Sequence, residues 1–93
     1  MRRIEYTAAF RRDFKREKAG RHRQKLDTLI AAAATLLATD TPLPAAQHDH
    51  PLSGNWNDHR DCHLRPDLVL IYRKPDTVTL QLVRLGSHHE LFG

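Results

Sequence analysis

The sequence predicts an α+β domain built from an N-terminal strand, two packed helices and then a mostly antiparallel sheet. Two observations carry the prediction. Apolar residues recur at helical spacing from Leu26 to Leu37, and the later half of the chain holds apolar runs at Leu68–Arg73 and Thr77–Leu85 separated by tight-turn residues. A strand, then helices, then strands joined by short turns folds most simply as two helices on one face of a sheet. With 93 residues, positions 1–93 read as a single domain with one core.

Each element has a local reason. Arg3-Ile4-Glu5-Tyr6 alternates polar with apolar, as a strand with Ile4 and Tyr6 facing the core does. Thr7 stands where a helix N-cap belongs, and Ala8 to Lys18 contains no Gly or Pro. In that helix Phe10 and Phe14 lie four apart on one face, with Arg11, Arg12, Lys15, Arg16 and Lys18 around the rest. Gly20 stops the helix, and a second one is expected to begin with Arg21, His22, Arg23 and Lys25 in its first turns. Its stripe of Leu26, Leu29, Ile30, Ala33, Leu36 and Leu37 keeps the i, i+3, i+4, i+7 rhythm. Cations at a helix N-terminus oppose the macrodipole, which hints at an external anion.

Pro42, Pro44 and Pro51 make Asp40 to Pro51 a loop that cannot continue the helix, and Ser53-Gly54-Asn55 is a turn. From Asn57 to Leu64 the alternation puts His59, Asp61 and His63 on one face and Arg60, Cys62 and Leu64 on the other. Arg65-Pro66-Asp67 turns the chain into Leu68-Val69-Leu70-Ile71-Tyr72-Arg73, an apolar run typical of a central strand. After Lys74-Pro75-Asp76, Thr77 to Leu85 reads as a strand with Val78, Leu80 and Leu82 on one face. The tail from Ser87 to Gly93 is short, polar and aromatic.

Charge and histidine are segregated. Residues 1 to 25 carry ten Lys or Arg against three Asp or Glu, whereas residues 26 to 93 carry five against eight. Six of the seven histidines lie at or after His48. A basic segment attracts a polyanion, and imidazoles that titrate near 6.5 are suited to proton transfer at neutral pH. Together they suggest a small nuclease. The single cysteine, Cys62, forms no intramolecular disulfide, and no apolar run has the length of a signal peptide or membrane helix, so a cytoplasmic protein is expected.

Residues spread along the whole chain resemble the RelE-type toxins of bacterial toxin–antitoxin pairs, and most closely the YafQ-type toxins. They are Ile4-Glu5-Tyr6; Asp49-His50-Pro51-Leu52 with Gly54 and Trp56; Arg60-Asp61 with His63; Pro66-Asp67; Leu70-Ile71-Tyr72; and Arg84, Gly86, His88 and Leu91-Phe92-Gly93. The resemblance implies a RelE-like microbial RNase fold and a ribosome-dependent endoribonuclease that cuts mRNA in the decoding site. It further implies neutralisation by a cognate antitoxin, of a DNA-binding ribbon-helix-helix type. Carried onto this chain, the active-site set is His50, His63, Asp67, Arg84 and His88, with Phe92 positioning a base or the ribose-phosphate. Lys15, Lys18, Arg21, Arg23 and Lys25 of the basic helices are expected to contact RNA.

That chemistry needs no cofactor: one group takes the proton of the ribose 2′-hydroxyl and another protonates the leaving 5′-oxygen. His88 is assigned as the acid and His50 or His63 as the base, with Asp67 orienting or raising the pKa of a neighbouring imidazole and Arg84 meeting the charge that gathers on phosphorus. Two rivals are weaker. His59 and Asp61 could approach one metal ion, but His59 and His63 stand about 13 Å apart along a strand at roughly 3.3 Å per residue. A non-catalytic RNA-binding module accounts for the charge and leaves Arg84 and His88 without a task.

Overall fold

Leu68 to Tyr72 are five consecutive buried residues, and such a run fits only a strand covered on both faces. In the computed structural model, which describes residues 1–93, that strand is β4 (Leu68–Arg73). The others are β1 (Arg3–Tyr6), β2 (His50–Pro51), β3 (Arg60–Arg65) and β5 (Thr79–Gly86), with helices α1 (Ala8–Lys18), α2 (Leu26–Ala38) and α3 (His88–Phe92). The sheet order is β1-β5-β4-β3-β2, with β4 in the middle. All pairings are antiparallel except β1 against β5, which closes the two ends of the chain together in parallel.

Each face of the sheet buries its own cluster. On one side Leu68, Leu70 and Tyr72 join Leu80, Leu82, Leu85, Cys62 and Leu64 against Phe10 of α1 and Leu26, Ile30, Ala33 and Leu37 of α2. On the other, Val69 and Ile71 meet Leu91 of α3, with Leu52, Trp56, Val83 and Phe92 packed around them. Each fully buried Leu or Ile contributes about 1.5 to 3 kcal/mol relative to exposure, so the larger cluster dominates stability.

Local details depart from the sequence expectation in four places. The second helix starts at Leu26, and Arg21 to Lys25 form turns closed by Arg23 N to Gly20 O and Lys25 N to His22 O. Of the four basic side chains only Lys25, the N-cap, stands at the positive end of the helix, so the hint of an external anion drawn from a cationic first turn falls away. Tyr6 is exposed rather than inward, lying over Phe10 and beneath the Arg11 guanidinium at the mouth of an open apolar groove between α1 and α2. Val78 is exposed because β5 begins only at Thr79. The tail is helical: Ser87 Oγ accepts from Glu90 N at 3.1 Å while Glu90 Oε1 accepts from Ser87 N at 2.8 Å, a reciprocal cap that starts α3.

Beyond Leu82, β5 has no strand on its outer side, because β1 has ended. Side chains of α1 and its cap take over. Thr7 Oγ1 accepts from Phe10 N and donates to Val83 O, Asp13 Oδ2 accepts from Leu85 N at 3.0 Å, and Arg16 Nη2 donates to Leu85 O at 2.7 Å. Asp13 is fully buried and also accepts from Arg84 Nε at 2.6 Å and Arg16 Nη1 at 3.2 Å. Burial works against its charge, but the hydrogen bonds from Arg84 and Leu85 and the two guanidinium charges outweigh burial and hold the carboxyl below its ordinary 3.8. Removing one partner of such a buried pair leaves uncompensated charge, so Asp13→Ala should lower the unfolding free energy by about 3 to 5 kcal/mol. A carboxyl depressed in the folded state stabilises it above the unfolded value and loses that contribution as pH falls through the folded one. Urea unfolding at pH 7 and again near pH 3 should therefore find the gap between wild type and variant wide at the first and narrowed at the second.

Candidate active site

Strand register brings His50, His63 and Arg84 onto two adjoining rows of the sheet. His50 of β2 pairs with Asp61 of β3, Asp61 with Ile71 of β4, and Ile71 with Arg84 of β5. These four positions form one row across the sheet, spanning roughly 14 Å at about 4.8 Å per strand. The neighbouring row runs from His63 through Val69 to Gly86, and the chain then turns into α3 at His88. Register irregularities at His63/Arg65 and at Ile71/Tyr72 bend the strands beside both rows. Gly86 must be small: a Cβ there would meet the Arg16 guanidinium at 2.7 Å and the Glu90 carboxylate at 3.1 Å.

His50 is exposed, and its Nδ1 lies 2.7 Å from the carbonyl oxygen of His48. A carbonyl only accepts, so Nδ1 carries the hydrogen and Nε2 is the free acceptor in the neutral ring. The same Nδ1 is 3.1 Å from Oδ1 of Asp61 but outside hydrogen-bond geometry, so that contact is electrostatic and Oδ1 is buried without a donor. Asp61 is only 2% exposed. Burial raises its carboxyl above the ordinary 3.8, and the charges of His50, His63 and His88 partly draw it back. Three imidazoles from a loop-edge strand, an inner strand and the C-terminal helix therefore act on one buried carboxylate.

Around this centre, His63 is half-buried with its ring edge-on to His48 at 5.9 Å. Both border an open cavity of about 570 Å³ that Gln47, Arg65 and Pro66 also line. Phe92 stacks obliquely on His88 at 4.8 Å and stands edge-on to Trp56 at 6.3 Å, and Trp56 continues to His59 at 5.2 Å, making an aromatic wall. Arg84 presents a guanidinium whose Nε and Nη2 are engaged by Asp13. Cys62 is buried, and burial pushes its thiol up to about 12, so it is no nucleophile at neutral pH.

Asp67 meets an imidazole outside the His50, His63 and His88 set. At the β3–β4 turn it meets Nε2 of His22 at 3.0 Å and Nη1 of Arg21 at 3.0 Å, so the imidazole it orients is that of His22. Among the basic residues, Lys18 pairs with Asp27 and Arg21 with Asp67, whereas Lys15, Arg23 and Lys25 stand exposed without an ion pair. Two candidates stand outside the active-site set expected from sequence. Asp61 is legible there as a face-mate of His63, but its burial is not; Asp13 gives no signal beyond being the one acid in the middle of a basic helix.

The family model for the bacterial toxin of type II toxin–antitoxin system, YafQ, matches residues 2–93. The chain is 43% identical over 92 residues to the mRNA interferase toxin YafQ of Escherichia coli K12, covering 97% of this chain and 95% of that one. Its structure resembles the toxin in the E. coli DinJ–YafQ toxin–antitoxin complex, with a TM-score of 0.83, 40% identity, and coverage of 99% of this chain and 98% of the other. A metal-bound toxin from Helicobacter pylori is similar too, with a TM-score of 0.82, 42% identity, and 99% and 100% coverage. Fold and full-length match together define a bacterial toxin of a type II toxin–antitoxin pair. Within that class the chain belongs to the YafQ family.

The His48 carbonyl makes a specific demand on His50. Nitrogen-15 NMR of the free protein above the imidazole titration range should find the hydrogen of His50 on Nδ1; a ring protonated on Nε2 instead would remove it as an acceptor at its exposed nitrogen.

Proposed function

We propose that this protein is a ribosome-dependent endoribonuclease that cuts mRNA in the decoding site by metal-independent acid–base chemistry. The observation that carries the reading is the placement of His50, Asp61 and Arg84 in one row across the sheet, with His63 in the adjoining row and His88 just past its end. Likeness to a protein named as an mRNA interferase supplies the substrate class.

In this reading Nε2 of His50 takes the proton of the ribose 2′-hydroxyl, the role that its Nδ1 hydrogen bond leaves open. The 2′-oxygen bonds to phosphorus, the bond to the 5′-oxygen breaks, and His88 delivers a proton to that oxygen. The products are a 2′,3′-cyclic phosphate and a 5′-hydroxyl. Arg84, held by Asp13 through one edge of its fork, offers its remaining N–H groups to the phosphoryl oxygens as charge develops. His63 flanks the attack and Phe92, already stacked on His88, supports a base or the ribose. Asp67 acts through the His22–Arg21 contact, tying the inter-helix turn to the rim of the site.

Lys15, Lys18, Arg21, Arg23 and Lys25 form the surface proposed to meet ribosomal RNA, and a cognate antitoxin, of ribbon-helix-helix type, is the proposed neutralising partner. A toxin–antitoxin complex is known for the E. coli relative. Replacing three of the five cations by Ala should weaken ribosome association and flatten its dependence on salt by roughly 0.7 to 0.9 in logarithmic slope for each phosphate that is no longer neutralised.

The decisive measurement is mRNA cleavage on programmed ribosomes. Wild type should leave a cyclic phosphate end, with EDTA without effect, and a single 2′-deoxy substitution at the cut site should abolish cleavage. His50→Ala or His88→Ala should slow it by on the order of 10² to 10⁴-fold, and Arg84→Ala by about 10² to 10³-fold. Cleavage that survives the 2′-deoxy substitution would overturn the in-line route, and loss of cleavage in EDTA would replace it with metal catalysis. Ribosome binding with no cleavage at all would make the protein a non-catalytic RNA-binding module.

A further inference from the structure

Resting on that reading, we infer that Asp61 is a positioning residue of the reaction, the fixed counter-charge for the imidazolium that forms on His50 as it takes the 2′-hydroxyl proton. Its position is set by geometry alone. Asp61 is directly opposite His50 in the β2–β3 pairing, its Oδ1 is 3.1 Å from His50 Nδ1, and that oxygen is buried with no donor of its own. Nothing in the fold requires a charge at this place. The neighbouring position across β4 is Ile71, in the apolar cluster beneath α3, and an unpaired carboxylate among such residues costs stability. Asp13, the other buried carboxylate, is by contrast fully supplied with donors.

The charged groups that act on Asp61 are His50 of β2, His63 of its own strand and His88 of α3, with Asp49, just before β2, acting against them. Asp49 is itself occupied by Arg60 and the Tyr72 hydroxyl, so it does not compete for the imidazoles. Of the three rings, only His50 has a nitrogen in ion-pair contact with the carboxylate. Proton transfer turns that contact from charge against dipole into charge against charge. The attraction is therefore greater in the transition state than in the ground state, which raises kcat while leaving KM alone. Oδ1 does not take the proton; the His48 carbonyl keeps the Nδ1 hydrogen and the ring's orientation.

Two experiments test the inference independently. In the free protein, carbon-13 NMR follows the Asp61 carboxyl through its titration. In His50→Gln its midpoint should rise above that of wild type, because the imidazolium that draws it down has gone; an unmoved midpoint overturns the coupling whether or not the protein cuts RNA. In the ribosome assay, Asp61→Asn should lower kcat tenfold or more, leave KM within twofold, and move the acid limb of the pH–rate profile to lower pH, since a base without its counter-charge is weaker. Asp61→Asn should also melt no lower than wild type at pH 7, because it removes an uncompensated buried charge. Asp61→Ser, read the same way, guards against a fault specific to the amide. A fall in kcat with the acid limb in place and a lowered melting temperature would make Asp61 merely structural. If wild type fails to cut while the carboxyl midpoint rises as expected, the nuclease reading falls and the Asp61–His50 coupling stands.

Discussion

Alternate side chains of Leu68 to Tyr72 enter two separate apolar clusters, Leu68, Leu70 and Tyr72 against the α1–α2 layer and Val69 and Ile71 against α3. A slip of one residue in β4 would exchange these sets, pressing the Tyr72 ring toward α3 and drawing Ile71 away from it. Several buried side chains would each forfeit on the order of 1.5 to 3 kcal/mol, comparable in sum to the whole stability of a domain this size. The register of β4 is therefore strongly set, and through it so are its neighbours. His50, Asp61 and Arg84 are aligned because Ile71 stands between Asp61 and Arg84 and has only one place to be.

The two sides of the sheet divide the work. The α1–α2 side carries the larger core and the basic surface; the other carries the histidines under a five-residue helix, α3, held by its Ser87–Glu90 cap and the buried Leu91. Asp13 connects them. It accepts from the Leu85 backbone, which closes the free edge of β5, and from Arg84, whose guanidinium is thereby fixed. One carboxylate thus serves sheet closure and the preparation of a cation that an unsupported, flexible side chain would provide only at an entropic cost.

Much of this is legible in the chain. The leucine stripe of α2, the buried run of β4 and the alternation of Asp61 and His63 against Cys62 and Leu64 all appear where the pattern puts them, and the candidate residues His50, His63 and Arg84 fall on adjoining rows of the sheet. What escapes depends on distance in sequence. Asp13 and Arg84 are 71 residues apart, and an acid on a basic helix reads as a solvated charge until the helix is laid on β5. Asp67 and His22 are 45 apart and meet only because the inter-helix turn folds onto the β3–β4 turn. The start of α2 and the exposure of Tyr6 and Val78 are boundary effects: strand and helix patterns fade at their ends, where packing rather than periodicity decides.

Comparison of the two buried carboxylates indicates which part of the site is under tension. Asp13 sits among donors that outweigh its desolvation, so its charge favours the folded state at neutral pH. Asp61 sits opposite an apolar residue with an oxygen lacking a donor, and desolvation wins, so its charge opposes folding over the same range. A sheet built for stability alone would place an amide or an apolar residue beside Ile71. A charge placed where it destabilises has a use if it steadies positive charge on His50, whose Nδ1 stands 3.1 Å away.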